Sequence, residues 1–189
     1  RRLHPKLCTF ISDAIYDGRL TPHPSNSERE LVLDAKPSPA LRKAGLSFYP
    51  VDHDGCTQSS REEAETIREI IDNLLGQKIS RNKVESPIAL DDVLVVAPYN
   101  LQANLLRQLL PVGTRIGTVD KFQGQQAPIV IVSMTTSRGV DAPRGTQFLF
   151  NPNRFNVSVS RAECLAIVVH GAKLLDGPWT KIGDLSRLN

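Results

Sequence analysis

Val93-Leu94-Val95-Val96-Ala97-Pro98-Tyr99-Asn100-Leu101-Gln102 reads as a strand that runs directly into a helix. Its first five residues are an unbroken apolar run. A strand with one wet face alternates apolar with polar, so this one is covered on both faces. Leu101, Leu105, Leu106, Leu109 and Leu110 then recur at helical spacing. Working outward, Arg115 to Asp120 and Ile129 to Met134 are two further strands, Leu165 to Val169 is another buried strand, and Pro152 to Ala162 has helical character. Upstream, Leu46 to Val51 is another strand. Ser60 and Glu63 offer a capping box for a helix that carries Ala64, Ile67, Ile70, Ile71, Leu74 and Leu75 on one face and stops at Gly76. His4 to Tyr16 is a further helix, with Pro5 in the first turn and Asp17-Gly18 as the stop. Residues 21–45 and 77–90 are polar and lack a sustained period, so they read as surface excursions, with a short strand near Leu31 to Leu33. Strands alternating with helices, with unbroken β-branched apolar runs among the strands, predict an α/β domain in three layers around a mainly parallel sheet, over residues 1–189.

With 189 residues, 40% hydrophobic and 23% charged, the chain has the make-up of a globular domain with a sizeable core. A net charge of +3 is compatible with a polyanionic partner and too small to argue for one alone. Cys8, Cys56 and Cys164 are odd in number and lack a C-x-x-C spacing, which argues against a disulfide framework or a zinc site and for a reducing, cytoplasmic compartment. No apolar run reaches the ~18 residues of a membrane span. The sequon Asn156-Val157-Ser158 falls in a helix and reads as chance.

Ligands of parallel sheets gather beyond the carboxyl ends of the strands. Three polar clusters are expected there: Pro98 to Gln102, Asp120 to Gln126, and the turn and helix leading to Arg161. Asn100 is placed to cap a helix whose amino end favours an anion, and Gly124 permits a sharp turn or a close approach. Ordinary caps and turns contain the same residues, so single segments leave both readings open. Arg154 and Arg161, seven positions apart, are expected on one helix face without an acidic neighbour, which suits a polyphosphate or carboxylate. Asp52-His53-Asp54 and Asp91-Asp92 are weak metal candidates. His4, His23 and His170 lack triad-like company, and Cys8 and Cys164 sit on apolar faces. No G-x-x-x-x-G-K-[ST] loop is present, and no strand ends in an acidic pair for magnesium.

Taken together, these segments resemble the second RecA-like domain of superfamily 1 helicases of the 5′-to-3′ branch. Arg2-Leu3-His4-Pro5 resembles the opening of the family's motif IV, with Arg1 where the family has a tyrosine. Val96 to Gln102 is similar to T-P-Y-x-x-Q, Thr118 to Gln126 to motif V, and Asn153 to Ala162 to motif VI. The resemblance implies a RecA-like fold lacking its own phosphate-binding loop. It implies ATP and Mg²⁺ held mainly by a preceding RecA-like domain, and single-stranded DNA or RNA as partner. Arg161 and Arg2 are then the catalytic arginines, and Gln126 (a glutamate in the family), Gly124 and Arg154 lie at the nucleotide. Pro98, Tyr99, Asn100, Gln102, Thr118, Asp120 and Gln123 lie along the nucleic acid. Gln125 to Pro128 and Asp141 to Gly145 also look like prokaryotic members fused to a RecB-family nuclease. A degenerate binding module without ATPase coupling, and an accessory motor for a nuclease, stay open as alternatives.

Overall fold

The structure is a computed structural model and describes residues 3–34, 37–122 and 124–175. The main elements in chain order are α1 (Pro5–Ile15), β1 (Glu30–Val32), β2 (Gly45–Val51), α2 (Arg61–Leu75), β3 (Lys78–Arg81), β4 (Val84–Pro87) and β5 (Val93–Ala97). They continue with α3 (Asn100–Leu109), β6 (Arg115–Thr118), β7 (Ala127–Ser133), α4 (Thr146–Leu149), α5 (Pro152–Val159) and β8 (Ala162–Gly171). Five strands form one parallel sheet in the order β2-β8-β7-β5-β6. Val95 of β5 lies beside Ile116 of β6 and Ile131 of the central β7, and Ile131 beside Ile167 of β8.

The unbroken strands are explained by two separate cores. Val93, Val95, Ala97, Ile129, Ile131, Leu165 and Ile167 pack with Ile67, Ile71 and Leu74 of α2 and Leu106 of α3. The intervening Leu94, Val96, Val130, Val132, Ala166 and Val168 pack with Leu7 and Ile11 of α1 and Phe155 and Val159 of α5. Alternate residues of one strand therefore serve opposite helical layers. This is the three-layer α/β arrangement expected of a RecA-like domain.

Several local expectations are corrected. The short strand near Leu31 is present as β1, but residues 77–90 are not a loop: they supply β3 and β4, which join β1 in a three-stranded antiparallel sheet. Leu31 and Ile79, directly opposite each other, are fully buried against the α2 side of the core. Ile79 stands alone among polar neighbours, and its partner Leu31 lies far away in sequence, so no local period betrays the pair. The β3–β4 turn places Asn82 and Lys83 both at positive φ, the geometry of a two-residue hairpin, which a lysine does not advertise.

The capping box is half formed. Ser60 Oγ accepts from the Glu63 amide at 3.1 Å, but the Glu63 side chain does not return to Ser60, whose own amide donates to Gln102 Oε1 at 2.8 Å. Asn100 is the first residue of α3, not its cap. Tyr99 holds the cap position and makes no side-chain capping bond. Finally, α5 ends at Val159, so Arg161 lies beyond the helix and shares no helical face with Arg154.

Candidate functional site

At the carboxyl end of the sheet, β5 stops at Ala97 and passes through Pro98 and Tyr99 into α3, while β6 stops at Thr118 and turns through a 3-10 segment carrying Asp120. An open cleft lies between them, lined by Pro98, Tyr99, Asn100, Thr118 and Asp120 together with Gln58, Arg144 and Arg154. The amino end of α3 faces this cleft without a side-chain cap, so its first amides are available to an anion. Arg154 is set in the first turn of α5, where Asn151 Oδ1 accepts from the amides of Asn153 and Arg154. Its guanidinium approaches Asp120 at 3.8 Å and lies 4.5 Å from the ring centre of Phe148. Arg144 approaches the same ring at 4.9 Å, and Tyr99 stacks on it with centroids 5.8 Å apart. Arg154 thus has an acidic neighbour, contrary to expectation, and sits with the strand candidates rather than the nucleotide ones. Arg144 and Phe148 were missed. The signal available for them was an arginine in a Pro-Arg-Gly turn just ahead of an aromatic residue.

Gln102 belongs to the same segment but does not reach the cleft. It is fully buried, and its amide is consumed by Ser60 N, Ser60 O and Ser133 Oγ at 2.8–3.0 Å. Any contribution it makes to binding is made through positioning. Beneath it lies a polar network that sequence reasoning did not find. The Glu63 carboxylate, fully buried, accepts from Ser133 Oγ at 2.5 Å and from the Thr135 amide at 2.9 Å. Ser137 Oγ accepts from the Cys56 amide and donates to His53 Nδ1, which leaves His53 Nε2–H to donate to Glu63 at 3.2 Å. His53 is therefore a satisfied interior residue and not a metal ligand. Its neighbour Asp54 faces Arg138 and Lys173, and Asp92 pairs with Arg81. Among the described residues no three potential metal ligands converge. The Cys164 thiol, pushed up to about 12 by burial, is no nucleophile at neutral pH.

The opposite, amino end of the sheet holds Arg161. Its carbonyl accepts from the Ala127 amide at 3.1 Å, where β7 begins, so it does not lie with the carboxyl-end clusters. Its Nε donates to the Val157 carbonyl at 3.0 Å, and no carboxylate among the described residues pairs with it. Gln125 and Gln126 are close by: Arg115 donates to Gln125 Oε1 at 3.0 Å and to the Gln126 carbonyl at 3.4 Å. Gly124, at φ +81°, has open space around its missing side chain, so the turn requires it rather than a close approach. Gly117 is crowded instead; a Cβ there would stand 2.6 Å from Lys121 Cδ. Arg2 and Gln123 lie outside the described residues.

The start of α1 is tied to this end as well, because the His4 amide donates to the Glu163 carbonyl at 2.8 Å. His4 also caps α1, its Nδ1 accepting from the Lys6 amide at 3.2 Å. Burial holds the His4 pKa below the ordinary 6.5, with Lys6 adding to the effect and Glu30 opposing it. As pH falls through about 6.5 the unfolded chain takes up this proton before the folded one does. Stability is therefore complete above that pH and is lost as pH descends toward the lower folded value. The urea midpoint is expected to drop between about pH 7.5 and about pH 5.5, and His4→Asn, which can still cap, is expected to reduce that drop. An identical drop in the variant would contradict it.

Residues 1–173 match a family described as AAA domain. The chain is similar to DNA polymerase alpha-associated DNA helicase A of Schizosaccharomyces pombe, at 30% identity over 85% of this chain and 25% of that protein. It is similar to the ATP-dependent helicase upf1 of the same yeast, at 25% identity over 92% of this chain and 19% of that protein. The DNA replication ATP-dependent helicase/nuclease JHS1 of Arabidopsis thaliana is 32% identical over 60% of this chain and 8% of its own length. The chain therefore spans a quarter or less of each of these relatives. No helix among the described residues is long and apolar enough to cross a membrane.

Proposed function

Because this chain belongs to the AAA domain family, among the superfamily 1 helicases, we propose that it is the second of two RecA-like motor domains of an ATP-dependent translocase on single-stranded DNA or RNA. The observation that carries this reading is the division of the polar candidate residues between the two ends of one sheet. Arg161, Gln126 and the start of α1 collect at the amino end, and Asn100, Thr118, Asp120 and Arg154 at the carboxyl end. A motor domain needs both: one rim for the nucleotide held by a preceding domain, one for the strand.

ATP with Mg²⁺, held mainly by that preceding domain, supplies the driving free energy when bound. Arg161 would supply it with a charged, planar donor fork, and Arg2 is assigned the same task. The Gln126 amide suits a ribose hydroxyl. The connection from β6 to β7 begins at the strand cleft, with Asp120, and ends at the nucleotide rim, with Gln126. A shift at either rim is thereby passed to the other through a short tether. ATP turnover by an Arg161→Ala variant of the full-length protein tests the reading, and near-normal turnover would sink it in favour of a binding module without ATPase coupling. The helicase/nuclease relative favours one further reading, a motor that feeds a nuclease in the same protein. Metal-dependent cleavage by the full-length protein, or its absence, separates the two.

A further inference from the structure

We propose that Arg144 and Arg154 form a two-armed fork for a phosphodiester of the bound strand, with Phe148 as its holder. The inference rests on the translocase reading above and names the group that grips the strand. The two guanidiniums lie 4.9 and 4.5 Å from one ring centre, and both arginines line the same cleft. Among the described residues, one carboxylate answers them. Asp120 stands 3.8 Å from Arg154 with both side chains well exposed, a weak and displaceable pair, and Arg144 has no ion pair among the described residues. The fork is left with one unbalanced positive charge, which matches the single negative charge of a phosphodiester.

Geometry selects the same ligand. Tyr99 and the two guanidiniums already engage the Phe148 ring, so the ring orients arginines rather than offering a platform to a base. Planar guanidiniums grip phosphate oxygens bidentately. Asn100 at the uncapped start of α3 borders the same cleft and adds donors for the same oxygens. A free nucleotide would bring phosphates of like chemistry, but Gln126 and Arg161 lie at the other end of the sheet.

The test is the salt dependence of binding to a labelled oligothymidylate by the full-length protein carrying Arg144→Gln. Arg144 is exposed, so the substitution does not threaten the fold. Each phosphate contact on a single strand contributes ~0.7 to the slope of log K against log salt. The variant is expected to bind several-fold more weakly with a slope shallower by ~0.7, and Arg144→Lys to retain the wild-type slope. A wild-type slope in Arg144→Gln overturns the fork. A raised KM for ATP with an unaltered slope also overturns it, by assigning the arginine to the nucleotide. Absence of salt-dependent strand binding by the wild-type protein would instead sink the translocase reading itself.

Discussion

Alanine in place of Arg161 is expected to lower ATP turnover by the full-length protein ~10³–10⁵-fold, the span over which an arginine finger acts in phosphoryl transfer. The size follows from what that position offers. Its guanidinium is half-exposed, is fastened by one hydrogen bond to the Val157 carbonyl in the last turn of α5, and pairs with no carboxylate among the described residues. Cations placed where negative charge develops stabilise the transition state more than the ground state, and the loss therefore falls on kcat. The fold should hardly notice, since the main-chain bond from Ala127 to the Arg161 carbonyl survives the change. Strand affinity should also survive, because the cleft that holds Asn100 and Thr118 is at the far end of the sheet. Arg161→Lys keeps the charge and loses the planar fork, so an intermediate rate is expected. The decisive comparison is turnover against strand affinity in one preparation. Loss of both together would mean that the two rims are not separate.

The second large effect is on stability. Glu63→Ala is expected to cost about 3–5 kcal/mol, the usual price of breaking a buried charged network by removing one partner. Ser133, His53 and the Thr135 amide all donate to this carboxylate, and alanine leaves them facing each other in a dry interior. Thr135 adds to the cost because its backbone is held at φ +73°, where only surrounding contacts keep a β-branched residue. Urea unfolding reads the effect as a lower midpoint at constant slope. Glu63→Gln is expected to lie in between: it keeps the volume but turns an acceptor into a donor opposite other donors. A loss below about 1 kcal/mol for Glu63→Ala would show that the network is dispensable. The consequence reaches function through Gln102, which binds Ser133 on one side and Ser60 on the other while sitting in the first turn of α3. Loosening it displaces Tyr99 and Asn100, and a weaker grip on the strand is expected to accompany the lost stability.

What the sequence determined by itself was set by covered faces. The Val93–Ala97 run required helices on both sides. Similar runs at Ile129 and Leu165 required the same, and five parallel strands between two helical layers is the arrangement that satisfies them. The order of the polar segments around those strands was legible too, because each stands next to a strand end. Tertiary structure alone decided which charges meet. Arg154 and Arg161 are close in the chain, yet α5 runs from one end of the sheet to the other and separates them. Arg144 and Arg154 are brought together only by a ring between them. Leu31 found Ile79, and Glu63 found His53 and Ser133, across long stretches of chain. Periodicity records how many sides of an element are dry, a local property. Pairing of polar groups depends on how distant segments dock, and no window of sequence contains both partners.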